Sequence, residues 1–185
     1  MTQGNDTHRK LYVGTLDGVC AVSSSNGGRS WEQGQVTSLA NAAARLSVST
    51  AQPGGAYLAA YEAGVFRTDD GGGTWRHLPS YPTAYAHSVL AHPAESETLF
   101  VGSEPAAVFR SNDGGDSWEE CQGFQEVPES EQWNFHGDRL SHVRELRTVP
   151  GDPDVMYAGI EVGGVVRTRD GGKNWKQLEG TNDDI

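Results

Sequence analysis

The sequence predicts an all-β fold: a β-propeller of four-stranded antiparallel blades, with four blades present. Three observations carry that expectation. One eight-residue turn is written four times, at residues 24–31, 68–75, 111–118 and 168–175, and self-similarity at a fixed period decides architecture before anything else. The tryptophans closing the copies stand at 31, 75, 118 and 175, a spacing of ~43 residues, long enough for four short strands, that stretches by roughly a dozen before the last. Between the turns lie short β-branched and aromatic runs bounded by Gly, Pro, Asn and Asp, and no segment carries a useful 3.6-residue apolar period.

Each turn reads as a hydroxyl residue, any residue, Asp or Asn, Gly-Gly, two more residues and Trp. The side chains of Asn26, Asp70, Asp113 and Asp170 can accept hydrogen bonds from the backbone just ahead. The glycine pair supplies the positive φ a tight reversal needs. Trp31, Trp75, Trp118 and Trp175 then open the next strand, and each is expected to bury its ring against the neighbouring sheet. The pattern resembles the Asp-box, or BNR repeat, of sialidase-type propellers, and nearly the whole chain resembles YVTN/BNR-like repeat proteins. The resemblance implies that these aspartates fold the chain and are neither catalytic acids nor calcium ligands.

Composition narrows the function. The 185 residues carry 25 acids against 14 lysines and arginines, a net charge of −11. Nucleic acid and acidic membranes recruit clustered Lys and Arg, so neither is an expected partner. Cys20 and Cys121 fall in different repeats and give no disulfide or metal spacing. Without a membrane-length apolar run or a signal-like start, the expected location is cytoplasmic.

In chain order, residues 1–10 are polar and expected to be disordered, and 11–185 form a partial propeller. Blade 1 covers 11–36, blade 2 covers 44–79, blade 3 covers 85–124 and blade 4 covers 140–180. Residues 125–139 form an insertion expected on the blade tops. Blade 1 has no candidate for an inner strand, so the expected whole is a ring of six to eight blades. A closed four-bladed ring and a ring made from two chains are the alternatives. An open fan exposes strand edges, which invites association.

Antiparallel connectivity sorts the loops by face. The repeated turns join third to fourth strands on one side; turns joining second to third strands lie on the other, where the resemblance to sialidase-type propellers implies that substrate binds. That second side gathers Asp17, Glu62, Glu104 and Glu161. Glu161, Glu104 and Glu62 are the candidate catalytic carboxylates, with solvated turn acids as the bland alternative. The ligand-binding candidates are Trp133, Phe135, His136, Arg139, His142, Arg144 and Glu161. Trp133 and Phe135 either plug the insertion onto the blades or form an aromatic platform for a sugar. Arg139 and Arg144 either clamp an anion or pair with Asp138 and Glu145. His136, Asp138 and His142 lack a recognised ligand spacing, so no metal and no cofactor is expected.

Two functions follow. One is a scaffold binding a small ligand, glycan or protein on the face opposite the boxes. The other is a glycoside hydrolase, sialidase-like or xyloglucanase-like, using carboxylates at the channel mouth. Against true sialidases, the Arg-Ile-Pro motif is missing and Arg139, Arg144 and Arg147 lie on one segment rather than on separate blades.

Overall fold

A computed structural model describes residues 7–15, 17–39, 43–133 and 140–181. They form four antiparallel sheets, each of four strands. Blade 1 holds β1 (Arg9–Thr15), β2 (Gly18–Ser24), β3 (Glu32–Gln33) and β4 (Thr37–Ser38). Blade 2 holds β5 (Ala43–Val48), β6 (Ala56–Ala60), β7 (Gly64–Thr68) and β8 (Arg76–His77). Blade 3 holds β9 (Ala86–Ala91), β10 (Leu99–Ser103), β11 (Val108–Ser111) and β12 (Glu119–Glu120). Blade 4 holds β13 (Val143–Val149), β14 (Asp152–Ile160), β15 (Gly164–Thr168) and β16 (Trp175–Gln177). In blades 2 to 4 the strands pair in chain order; in blade 1, β1 pairs β2, and β3 and β4 share the other edge of β2. Among the described residues blade 1 therefore lacks an inner strand, and no helix is long and apolar enough to cross a membrane.

Three expectations are corrected. Arg9 and Lys10 belong to β1, paired with Ser24 and Ser23, and the Lys10 ammonium donates to the Gly71 carbonyl of blade 2 at 2.9 Å. Polar sequence concealed a strand fixed by its partner. The stretch after blade 3 is not simply a loop: α1 (Gln122–Gln125) packs beside β16 and a 3₁₀ turn (Pro128–Gln132) follows it. Phe124 and Val127, one turn apart, are buried there, but one helical turn is too short to show a period. Finally, Trp31 is 41% exposed whereas Trp175 is 8% exposed, because among the described residues only blades 2 to 4 have a preceding blade to receive the ring.

The repeated turn closes the same way each time. In blade 2 the Thr68 hydroxyl donates to Asp70 Oδ1 and accepts from Gly72 N, both at 2.9 Å. Asp70 also accepts from the Thr74 N–H at 2.9 Å and the Thr74 hydroxyl at 2.8 Å. Ser111 with Asp113, Thr168 with Asp170 and Ser24 with Asn26 repeat the arrangement.

These bonds favour the ionised carboxylates. The Thr74 bonds hold Asp70, and the Ser117 bonds hold Asp113, down to about 2. At Asp170 burial pushes the other way, and hydrogen bonds led by Asn174 overcome it to leave the carboxyl at about 2. A carboxyl lowered on folding adds stability above its unfolded pKa, ~4, and loses it as pH falls towards the folded value. Stability is therefore expected to drop between pH ~4 and ~2. The triple variant Asp70→Asn, Asp113→Asn, Asp170→Asn should flatten that part of a pH-resolved urea titration. Asn26 already fills the same role in blade 1, accepting from the N–H groups of Arg29 and Ser30. An unchanged acid limb in the triple variant would place the titrating groups elsewhere.

The core lies in the seams between blades. Val19, Leu39 and Leu58 close blade 1 on blade 2; Tyr57, Val65, Leu78 and Val101 close blade 2 on blade 3; Phe100, Leu146, Met156 and Trp175 close blade 3 on blade 4. Cys20 and Cys121 are buried free thiols. Blade 4 repeats the residues by which blade 2 receives its neighbour. Tyr157, Val165, Arg167 and Leu178 occupy the register of Tyr57, Val65, Arg67 and Leu78. The blade 2 set is buried and the blade 4 set is half-exposed. Arg67 reaches across its seam to Glu97 at 2.7 Å and to the Gly114 carbonyl at 3.3 Å, whereas Arg167 Nε is buried with no hydrogen-bond partner among the described residues.

Candidate functional site

The second-to-third-strand turns and the starts of the inner strands share the end of each sheet opposite the repeated turns. Two imidazoles meet there. His87, the second residue of β9, and His142, just before β13, stack with ring centroids 3.8 Å apart and planes inclined by 19°. They meet because the inner strands of blades 3 and 4 pack side by side. The close approach of Gly102 helps set that distance: a Cβ there would lie 2.5 Å from the Val143 Cβ and 2.4 Å from the Ser88 hydroxyl.

Each ring is held by a glutamate from the turn that follows its neighbouring strand. His87 Nε2 lies 2.9 Å from Glu104 Oε2, and His142 Nε2 lies 2.7 Å from Glu161 Oε2. His142 Nδ1 faces Glu104 Oε2 at 3.7 Å. The Glu161 carbonyl accepts from the Ser141 hydroxyl, and its backbone N–H donates to the His142 carbonyl, fixing the turn against the strand. Arg144 completes the group at 3.5 Å from Glu161 Oε1. Tyr61 of blade 2 closes one side, its ring 5.0 Å from that of His87 and 5.4 Å from that of Tyr85.

Burial pushes both imidazoles below their ordinary pKa, more than Glu104 and Glu161 raise them, and at His142 the stacked His87 pushes the same way. Neutral rings are thereby favoured. Glu104, beside it, pushes the Tyr61 phenol up. The four side chains of the two pairs are 15–29% exposed, so the cluster is lined by structure yet open to solvent.

Of the residues singled out in the sequence, Glu104, Glu161, His142 and Arg144 come together. His87, Tyr61 and Tyr85 were not singled out; the available signal was a histidine at the head of the inner strand in two successive blades. Glu62 is exposed at the tip of its turn with φ 58°, the position Val162 holds in blade 4. It lines a separate cleft of about 340 Å³ with His77, Tyr81 and Thr83. Trp133 offers no platform: it is 6% exposed, its indole N–H donates to Gln177 at 2.9 Å, and its ring packs on Phe124. An apolar ring beside the seam of blades 3 and 4 gains more from burial than from solvent. Phe135, His136, Asp138 and Arg139 lie outside the described residues. Glu145 pairs not with Arg144 but with Arg147 at 2.9 Å and with Arg45 of blade 2 at 3.1 Å.

The chemistry open to this group is polar recognition and proton or cation binding. The two carboxylates have an imidazole between them, each already engaged by a ring nitrogen. Each carboxylate keeps acceptor positions beyond those contacts, open to water or to a ligand hydroxyl.

The chain matches no protein-family model and no curated protein sequence. Solved structures do match. An ancestral GH74 enzyme superposes with a TM-score of 0.69 at 20% identity, over 95% of this chain and 23% of that one. The GH74 enzyme of Niastella koreensis gives 0.61 at 16%, over 90% and 28%. The GH74 xyloglucanase from Xanthomonas campestris gives 0.52 at 17%, over 92% and 36%. This chain thus spans between about a quarter and a third of those structures. At such identities the likeness speaks for the fold alone: four antiparallel four-stranded blades of a β-propeller.

Proposed function

We propose that this chain is a propeller scaffold whose repeated turns are Asp-boxes and whose opposite face binds a small ligand, a glycan or a protein at the His87–Glu104–His142–Glu161 cluster. The carrying observation is convergence: polar side chains from two blades meet on one face, with Tyr61 and Tyr85 beside them, half-buried but reachable. Arg144, whose side chain is 59% exposed, supplies a cation at the rim for an acidic ligand group. Pockets that combine aromatic walls with a few fixed polar groups suit recognition. The GH74 neighbours make a glycan a reasonable first probe. The half-exposed Tyr157, Val165 and Leu178 fit the same reading: a second copy would cover them, as a rise of mass with concentration in sedimentation would show.

A screen of immobilised glycans and aryl glycosides, run on this chain and on Glu161→Gln, tests the reading. Binding without release of the aryl group is the expected result, weakened by about tenfold or more when the charge-assisted bond to His142 is removed. Turnover by the parent that disappears in Glu161→Gln would overturn the scaffold in favour of a glycoside hydrolase.

A further inference from the structure

We propose that His87, Glu104 and His142 form a binding site for a divalent ion of the Zn²⁺ type, with Glu161 as the carboxylate that orients His142. One ligand atom from each of the three residues falls within 4.8 Å of the others. An ion with four ligands at ~2.0–2.2 Å needs those atoms roughly 3.4 Å apart. The two measured separations, 2.9 Å from His87 and 3.7 Å from His142 to the same Glu104 oxygen, bracket that value. Converging on one ion requires the stacked rings, now inclined by 19°, to turn until both nitrogen lone pairs point at it.

The stronger reason lies in the protons. His142 Nε2 sits 2.7 Å from Glu161, so in a neutral ring the single N–H is spent there. Its Nδ1 is then a bare lone pair, and it faces a carboxylate oxygen at 3.7 Å. Two acceptors turned towards each other repel, which creates a need for a proton donor or a cation between them. A metal ion meets it directly, and the carboxylate on the far nitrogen is the partner that metal-bound imidazoles characteristically keep, fixing both tautomer and orientation.

The donor set narrows the ion. Two imidazole nitrogens and one carboxylate suit Zn²⁺, Co²⁺ or Ni²⁺, whereas Ca²⁺ and Mg²⁺ prefer oxygen alone. Three protein ligands leave a position for water or for an anionic group of a ligand, with Arg144 nearby. No such set is visible in the sequence, because its members stand at 87, 104 and 142 with no motif spacing. The inference goes beyond the scaffold reading, since metal uptake is measured with no organic ligand present and either can fail alone.

Calorimetric titration of the whole chain with Zn²⁺, and absorption spectra with Co²⁺, test the site. One ion per chain is expected, with the intense visible bands of low-coordinate Co²⁺. Glu104→Gln and the double variant His87→Ala, His142→Ala should abolish both signals, read on variants whose circular dichroism matches the parent. Glu161→Gln should weaken uptake by about 10–100-fold, the usual cost of losing an orienting partner. His77→Ala, on exposed β8, should change nothing. The proposal is overturned if the parent takes up no stoichiometric Zn²⁺. It is equally overturned if Co²⁺ shows only the weak spectrum of the hydrated ion, or if folded Glu104→Gln binds as the parent does.

Discussion

Replacing Trp175 with Ala is expected to cost about 3–5 kcal/mol, as truncating a buried aromatic ring does. The same change at Trp31 should cost less than about 1 kcal/mol, the scale of changes at exposed positions. Both tryptophans close the same turn, and both indoles donate to the carbonyl of the second turn glycine, Trp175 at 2.9 Å and Trp31 at 3.1 Å. They differ in what lies behind them. Trp175 packs edge-on against Phe124 and joins the seam with Leu146 and Met156, while Trp31 has no blade on its outer side among the described residues. A domain of this size holds only about 5–15 kcal/mol in total, so the first variant should melt far earlier than the second. Equal losses in urea titrations would mean that the local turn, and not the seam, is what the ring stabilises.

Gly115→Ala should be nearly as damaging, for two separable reasons. Gly115 sits at φ 97°, where a Cβ costs about 1–2 kcal/mol, and that Cβ would lie 2.4 Å from Leu78 Cδ1 of the preceding blade. Overpacking of this kind adds about 1–3 kcal/mol. Gly27→Ala isolates the first cost, since its φ is 74° and nothing lies within 4 Å of the added carbon. The difference between the two variants therefore measures the seam. If Gly27→Ala cost as much as Gly115→Ala, packing between blades would not be the reason for the second glycine.

The same glycine shows where sequence reading stops. Its need for positive φ follows from the turn, whose bonds all fall within eight residues, such as Gly115 N–H to the Ser111 hydroxyl at 2.8 Å. That Leu78 presses on it follows only from packing between blades. The candidate site divides likewise. Glu104 and Glu161 were legible because a turn position and a face follow from antiparallel connectivity. His87 was not, because a histidine heading a strand has no meaning until a second ring is laid 3.8 Å away. Trp133 misled for the opposite reason: a tryptophan outside the repeat reads as available, yet the chain after blade 3 folds it into the seam beside Gln177.

By itself the sequence determined the blades, their turns and the face on which Glu104 and Glu161 lie, because those depend on hydrogen bonds between near neighbours and on strand alternation. Only the tertiary structure decided that two histidines and two glutamates from blades 3 and 4 form one cluster. Their meeting is set by inner strands packed side by side and by a missing side chain at Gly102, and contacts between distant residues leave no periodic trace in a single chain.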